Sequence, residues 1–268
     1  MLQESLDLIA EVEEFHEFLQ TLDEEDWQRP TGFMNWTPWD VVAHLHFFDL
    51  VSQAALAGEE VFGERRDSLI GSISKGETNA QIARREFGEL SPTELMERWV
   101  QTCRSMAKDL GESNPKRRLP WFGPDMGVRM FTTARYMETW AHSQEVYDLK
   151  GVKREYNDRI KNVAAIGIRT FGWTFVNRKL EVPGPVPYVR LIAPSGETWE
   201  WNDPSEKEFV RGDAAEFCHV VTQGRNVVDT SLEVAGDVAN QWMAIAQCFA
   251  GGAVDPPTPG KRKLEHRN

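Results

Sequence analysis

The sequence has few cysteines and no long apolar run. Its 268 residues include three cysteines, and an odd number of widely spaced cysteines forms neither a disulfide framework nor a zinc-ribbon pattern. Cys103, Cys218 and Cys248 are therefore expected to be small buried side chains in a reducing compartment. No window approaches about 18 consecutive apolar residues, so no membrane span is predicted. The first residues lack the basic and apolar segments of a signal peptide, and a cytoplasmic protein is expected.

Positive charge is also scarce. Lys and Arg number 30 against 42 Asp and Glu, which gives a formal net charge of -12. A nucleic-acid partner is not expected, because neutralising phosphates requires clustered Lys and Arg. The one dense basic run, residues 261–263, is interpreted as a solvated chain end. The expected partners are a small-molecule substrate and, as a possibility left open, a second copy of the chain.

The length and the hydrophobic pattern predict two domains and a tail. Residues 1–151 carry four long segments with apolar residues at three- and four-residue spacing, which predicts a four-helix bundle. Residues 152–252 mix short strands with helices and predict a smaller α+β domain. The proline-rich, charged residues 253–268 are predicted to be disordered.

Capping signals fix several helix starts. Thr37 is a good N-cap, Pro38 suits the first helical position and Asp40 complements the positive helix end, so the second helix is predicted to begin there and end near Gly58. Ser91 begins the third helix in the same way. The fourth helix is predicted over 128–149. Residues 58–90 are interpreted as exposed helical turns and loops, and residues 111–127 as a long connection, a kind of segment that often covers a site.

In the second domain, turn signals separate the predicted elements. Residues 188–192 and 197–201 predict a β-hairpin. The further predicted elements are strands at 207–211 and 232–235 and helices at 158–177, 214–222 and 238–250.

Three residues carry the predicted chemistry. Glu138 and His142 are four residues apart, so on a helix they share one face and can both reach one metal ion. His44, on the second helix, would supply a third ligand from across the bundle. Because the flanking residues are apolar, a buried Glu138 needs a counter-charge. A divalent cation would supply that charge, although a buried arginine or a simple Glu–His hydrogen bond is an alternative.

The same residues carry a family resemblance. The run W-T-P-W-D-V-V-A-H-L and, about ninety residues later, A-R-Y-M-E-T-W-A-H-S-Q-E-V resemble the DinB-like metalloproteins, in the branch named after mycothiol-dependent maleylpyruvate isomerase. They are most similar to a set of bacterial metal-binding proteins that carry the motif M-E-T-W-A-H-x-Q. The run L-I-A-P-S-G-E-T-W-E-W, in the second half of the chain, also resembles this set. The resemblance implies a metal site formed by His44, Glu138 and His142, and a second domain similar to sterol carriers.

Two imidazoles and one carboxylate leave coordination positions open, which is typical of catalytic rather than structural sites. Zinc is the default metal, and nickel, iron and manganese accept the same ligands. The resemblance implies a thiol-dependent isomerase or S-transferase that uses a small thiol such as mycothiol on a carboxylate-bearing electrophile. The alternatives are metal-assisted hydrolysis with His46 as the general base, and a non-enzymatic carrier of a small apolar ligand.

Other residues have weaker predictions. Thr222-Gln223-Gly224-Arg225 resembles a T-G-R-like motif of the isomerase branch, apart from the inserted Gln223, which makes Arg225 a candidate for binding an anionic group. A plain surface arginine is the alternative. His46 is otherwise interpreted as a packing residue and Asp49 as a helix-surface acid. A larger set is expected to line either a site or an ordinary helix face or core: Trp121, Arg135, Trp140, Gln144, Trp173 and Trp242.

Overall fold

The computed structural model describes residues 1–262 and divides the chain into two compact units, of which the first is Met1–Lys150 and the second begins at Gly151. Residues 263–268, which include the end of the basic run and of the tail predicted to be disordered, lie outside the described residues. In the part of the chain that is described, none of the helices combines the length and the apolar character needed to cross a membrane.

The first unit is helical. Its helices are α1 Gln3–Leu19, α2 Pro38–Ala57, α3 Glu59–Ser74, α4 Asn79–Phe87, α5 Pro92–Glu112 and α6 Val128–Lys150. The long helices α1 and α2 each pack against both α5 and α6, which closes the predicted four-helix bundle. Its core is aromatic and aliphatic, and Phe15, Leu45, Trp99 and Trp140 are all fully buried.

The N-terminus of α2 is fixed by the predicted cap. The hydroxyl of Thr37 accepts a hydrogen bond from the backbone N–H of Asp40 at 3.3 Å, and the Asp40 carboxylate accepts one from the backbone N–H of Thr37 at 2.9 Å. This reciprocal capping box satisfies two backbone donors that the helix itself leaves unpaired. Because α2 begins at a defined residue, the direction of each side chain along it is also defined.

The prediction of exposed helical turns and loops over residues 58–90 is right about helical structure and wrong about its extent and exposure. Helices α3 and α4 occupy this segment, and Phe62, Leu69 and Ile82 are buried. The signal for α4 is a second capping box, in which Thr78 and Gln81 exchange hydrogen bonds. The polar composition hides these helices because only a narrow stripe of each one is apolar.

The connection between α5 and α6 contains a short antiparallel pair, β1 Arg118–Leu119 with β2 Met126–Gly127. Trp121 and Phe122 lie between these two strands in sequence. The pair holds the connection against the first unit, since both strands pack on α6.

The second unit contains a four-stranded sheet. Its elements are α7 Lys161–Arg169, α8 Phe171–Val176, β3 Tyr188–Ile192, β4 Thr198–Trp201, β5 Phe209–Asp213, α9 Ala214–Val221, β6 Glu233–Ala235 and α10 Asp237–Ile245. The strand order is β4-β3-β5-β6, and β3 pairs with β4 antiparallel and with β5 parallel. The predicted hairpin is confirmed, as is the fold class of a helical bundle followed by a smaller sheet-containing part.

The predicted helix 158–177 is broken into three pieces: a 3-10 turn at Asp158–Ile160, α7 and α8. Thr170 lies at the break, and its hydroxyl donates to the carbonyl oxygens of Ile166 and Gly167 at 2.8 and 3.1 Å. A side-chain hydroxyl that bonds to the preceding turn competes with the helical backbone pattern, which accounts for the interruption.

Residues 253–262, the described part of the tail predicted to be disordered, form neither helix nor strand. They are nevertheless hydrogen-bonded to the second unit. The Asn226 side chain donates to the carbonyl oxygen of Pro257 at 2.9 Å, and the Arg262 guanidinium donates to that of Gln223 at 3.1 Å.

Candidate metal centre

Two helices of the first unit bring the predicted ligands together. His44 lies on α2, and Glu138 and His142 lie one turn apart on α6. One ligand atom from each residue lies within 4.8 Å of the other two. His142 Nε2 and Glu138 Oε2 are 3.4 Å apart, close to the edge of about 3.3 Å expected between two ligands of a tetrahedral zinc ion with bonds of about 2.05 Å.

The cluster lies at a partly open face of the bundle. His44 is buried, whereas the side chains of His142 and Glu138 are 13% and 24% exposed. Access from one side is what a small ligand needs in order to reach a metal ion held there.

Aromatic rings surround the two imidazoles. The Trp36 ring is nearly parallel to that of His142, with an interplanar angle of 18° and centroids 5.6 Å apart, and it is tilted over His44 at 4.8 Å. Phe33 meets His142 at 5.3 Å, and Phe48 meets His44 at 4.8 Å. These rings fix the orientation of both imidazoles by packing and exclude water from their sides.

The loop before α2 positions Trp36. The backbone N–H of Thr31 donates to the carbonyl oxygen of Trp36 at 2.7 Å, and the N–H of Trp36 donates to that of Phe33 at 2.9 Å. Between them, Met34 and Asn35 have positive φ angles of 49° and 57°, a left-handed conformation that costs energy for residues other than glycine. Phe33, Trp36 and Phe48 were not predicted as part of the site, although Phe33 and Trp36 lie just before α2 and Phe48 lies on it.

The aromatic surface continues away from the cluster. Phe48 lies 6.4 Å from Trp121 and 6.2 Å from Phe122, and those two rings meet at 5.1 Å. Phe48, Trp121 and Phe122 are all half-buried. The sequence analysis left open whether Trp121 lines a site or belongs to the core. Here it joins an aromatic row that begins at His44.

The electrostatic setting suits metal ligands. Burial lowers the pKa of His44 well below its usual value, and positive charge on His142 and Arg135 adds to the effect. Burial opposes ionisation of Glu138, but the hydrogen bond from His142, the charge on His142 and that on Arg135 together hold the pKa of its carboxyl below its usual value. At neutral pH the cluster therefore offers an unprotonated His44 and a carboxylate.

The interpretation of Asp49 as a helix-surface acid is wrong, and Arg135 is not on a solvated face. Asp49 is fully buried, and Arg135 is 2% exposed. Arg135 Nε and an Nη of the same guanidinium donate to Asp49 Oδ1 at 3.1 and 2.9 Å, and the indole N–H of Trp99 donates to Oδ2 at 3.1 Å. The buried arginine that could have neutralised Glu138 is thus paired with a different carboxylate.

His46 is not brought to the cluster. It is buried, and its ring lies 4.8 Å from that of Phe87 on α4. Burial, together with the positive charges of Arg98 and Arg65, lowers its pKa to about 4. The His46 side chain points away from His44 because residues two apart on a helix point to different sides.

Arg225 belongs to the second unit and follows α9. It is 8% exposed, so it is not a plain surface arginine. Its backbone N–H donates to the carbonyl oxygen of His219, and its guanidinium donates to that of Gly224 at 2.8 Å. His219 Nε2 lies 2.7 Å from the Tyr156 hydroxyl. Burial lowers the pKa of His219 well below its usual value, and the charges of Arg225 and Arg154 contribute.

The remaining candidates are mostly core. Trp140 and Trp242 are fully buried, Gln144 is buried with its amide donating to Asp148 at 2.9 Å, and Trp173 is 37% exposed. The three cysteines are buried, as expected. Burial raises the pKa of the Cys103 thiol well above its usual value, which makes it a poor nucleophile.

Comparisons with known proteins identify the family. The family model described as the mycothiol maleylpyruvate isomerase N-terminal domain matches residues 8–147. Two uncharacterised proteins of Mycobacterium tuberculosis, from strains CDC 1551 / Oshkosh and ATCC 25618 / H37Rv, are each 33% identical over 255 residues, which is 95% of this chain and 96% of theirs.

Solved structures show the same fold. The crystal structure of the mycothiol-dependent maleylpyruvate isomerase superposes with a TM-score of 0.54 at 12% identity, over 84% of this chain and 89% of that one. The structure of a single-site mutant of that enzyme gives a TM-score of 0.54 at 11% identity, over 86% and 92%. The solved structures agree with the helical bundle and the sheet-containing second unit. Since the family model matches more than half of its residues, the chain belongs to the mycothiol maleylpyruvate isomerase family, a branch of the DinB-like proteins.

Proposed function

We propose that this protein binds one divalent metal ion through His44, Glu138 and His142 and uses it in a thiol-dependent isomerisation or S-transfer. The observation that carries the proposal is the approach of the three ligand atoms to within 4.8 Å of one another, from two helices of a bundle. The substrate is a small electrophile that bears a carboxylate, and the thiol is of the mycothiol type.

The residues fit a metal ion. Two imidazoles and one carboxylate suit zinc first, and nickel, iron or manganese as well. Among residues 1–262, His44 Nδ1 is buried with no hydrogen-bond partner, so this imidazole is not committed to a structural hydrogen bond through that atom. Glu138 supplies a negative charge and His44 a neutral nitrogen, as metal ligation requires.

A divalent cation at this site supplies one effect, which is to lower the pKa of a bound thiol so that it ionises near neutral pH. The protein's own residues do the rest. His44, Glu138 and His142 fix the position of the charge. Trp36 excludes water from the side of the two imidazoles, which strengthens the electrostatic interactions there.

The reaction needs no co-reactant besides the thiol and the substrate. In an isomerisation, the thiolate sulfur adds to one carbon of an activated double bond, the resulting single bond rotates, and the thiolate leaves with its electron pair to restore the double bond. In an S-transfer, the same sulfur displaces a leaving group and keeps the new C–S bond. Thiol use is proposed from the family and from the names of the solved structures.

Arg225 is the proposed group for the substrate carboxylate. A planar guanidinium binds a carboxylate through two parallel hydrogen bonds, which a lysine cannot reproduce. Its burial, and the second positive charge that Arg154 brings near His219, support this role.

The test is metal content, measured by elemental mass spectrometry on protein purified without a metal-affinity column. Wild type is expected to carry about one ion per chain, and Glu138→Ala and His142→Ala are expected to lose it. Turnover of α,β-unsaturated carboxylates is then measured with and without mycothiol and glutathione. A wild-type protein that neither carries nor takes up zinc or nickel would refute the metal site. Turnover that needs no thiol would refute the thiol mechanism.

The aromatic row supports a second candidate, which is non-catalytic binding of a small apolar ligand. Phe48, Trp121 and Phe122 present half-buried rings next to His44. Native mass spectrometry distinguishes the two functions, since a carrier would retain an apolar ligand through purification and show no turnover in the thiol screen.

A further inference from the structure

We infer that the buried Asp49–Arg135 pair is a positioning device, which sets the register of α2 and α6 so that His44, Glu138 and His142 meet at one metal ion. The inference rests on the proposed metal site and assigns a role to two residues that are not ligands.

The placement of the pair supports this role. Asp49 lies five residues after His44 on α2, and Arg135 lies three residues before Glu138 on α6. Each partner is thus within about one and a half turns of a ligand on the same helix. The guanidinium also donates to the backbone carbonyl oxygen of Leu45, the neighbour of His44, at 3.5 Å. A single side chain from α6 therefore contacts α2 both at the level of the ligand and one turn further along.

The geometry of the pair leaves little freedom. Two guanidinium nitrogens donate to Asp49 Oδ1, while the indole N–H of Trp99 on α5 donates to Oδ2. Three of the four bundle helices meet at this carboxylate. Sliding α6 along α2 would separate two buried charges, which is strongly unfavourable in a dry interior.

Stability alone does not account for the pair. Replacing a buried ion pair by well-packed apolar residues is often neutral or stabilising, because burying two charges has a large desolvation cost. A buried ion pair has a clearer role where it selects one relative position of two helices among several positions of similar packing energy. Two ligands on one helix and a third on another need such a selection, because a shift of one ångström changes metal coordination.

The decisive variant is therefore the double replacement Asp49→Leu with Arg135→Met, which removes both charges and keeps most of the volume. Its fold is checked by circular dichroism and by the melting temperature of the metal-free full chain. Zinc affinity is measured by chelator competition, and the geometry by the visible absorption spectrum of the cobalt-loaded protein. We expect a folded protein whose zinc affinity is lower by roughly 10- to 100-fold, with an altered cobalt spectrum.

A matched control lies beside Arg135. Tyr136 is also fully buried on α6, and its hydroxyl donates to the Glu11 carboxylate of α1 at 3.0 Å. Tyr136→Phe removes a buried hydrogen bond between α6 and α1 and leaves the Asp49–Arg135 pair in place. It is expected to lower the melting temperature and to leave zinc affinity and the cobalt spectrum as in wild type.

The outcomes separate the two proposals. Wild type that binds neither zinc nor nickel refutes both of them. Wild type that binds zinc, together with a double variant of unchanged affinity and spectrum, refutes only the positioning role. If the double variant does not fold, Arg135→Lys serves instead, because it keeps the charge and loses the planar fork. Its expected loss of affinity is smaller, and unchanged affinity with an unchanged spectrum would overturn the inference equally.

Discussion

Glu138→Gln should abolish most of the stabilisation that a metal ion gives this protein. The substitution keeps the size of the side chain and removes the one negative charge among the three proposed ligands. With free zinc buffered at 100 times the wild-type dissociation constant, binding stabilises the folded state by about 2.7 kcal/mol. For a unit of this size that corresponds to a rise in melting temperature of roughly 5–10 °C.

The loss of zinc affinity expected for Glu138→Gln follows from the short distance between the carboxylate and the metal ion. At about 2.1 Å from a dication, with an effective dielectric constant of about 20, the gross Coulomb attraction is about 16 kcal/mol. Even if desolvation offsets about five-sixths of it, the remaining 2.7 kcal/mol or so lowers affinity about 100-fold. At the same free zinc concentration the variant would then gain only about 0.4 kcal/mol, or roughly 1–2 °C.

The assay is a thermal-shift titration in zinc buffers on the full chain. Glu11→Gln is the control, because Glu11 is another buried carboxylate of the same bundle and lies outside the cluster. It is expected to change the melting temperature of the metal-free protein and to keep the full zinc-induced shift. A Glu138→Gln protein that shows the wild-type shift would refute the assignment of Glu138 as a ligand.

The other predictions concern four residues outside the ligand set. His46→Phe should reduce acid destabilisation. The pKa of His46 is lowered from 6.5 to about 4 in the folded state, so between these pH values the unfolded chain binds more protons than the folded one. Wild-type stability therefore falls as the pH drops through this window, by up to about 3 kcal/mol for this residue. Urea unfolding of wild type and variant at pH 7.5 and 4.5 measures the difference, and an equal pH dependence of the two proteins would contradict the prediction. Thr37→Ala should lower unfolding free energy by about 1 kcal/mol through loss of the cap, without loss of bound metal; an unchanged urea midpoint would show that the cap contributes little. Arg225→Lys should leave metal content unchanged and raise KM for carboxylate-bearing electrophiles at least tenfold, and a KM equal to wild type in steady-state kinetics would remove Arg225 from the site. Trp36→Leu should weaken the orientation of both imidazoles and shift the absorption spectrum of the cobalt-loaded protein, and an identical spectrum would show that the ring only packs.

Part of the site could be predicted because helical geometry is local. A helix places residues four apart on one face whatever surrounds it, so Glu138 and His142 could be paired from spacing alone. The Thr37 cap fixed where α2 begins for the same local reason. The pairing of His44 with the other two rested on the family resemblance, because spacing within one helix does not say which helix faces it.

The burial and the pairing of side chains depended on the tertiary structure, because they follow from which helices pack against each other. Asp49 looks like a surface acid in sequence, since its charge is typical of solvated positions, and only the packing of α2 against α6 places it beside Arg135. Where α3 and α4 lie, the sequence indicated only exposed helical turns, because the apolar stripe of each helix is narrow and its burial depends on α2, on which both pack. The sequence by itself determined the local elements and the shared helix face of Glu138 and His142. The chain's packing determined the approach of His44 to these two residues, the aromatic surroundings and the buried ion pair, because burial and charge pairing depend on residues far apart along the chain.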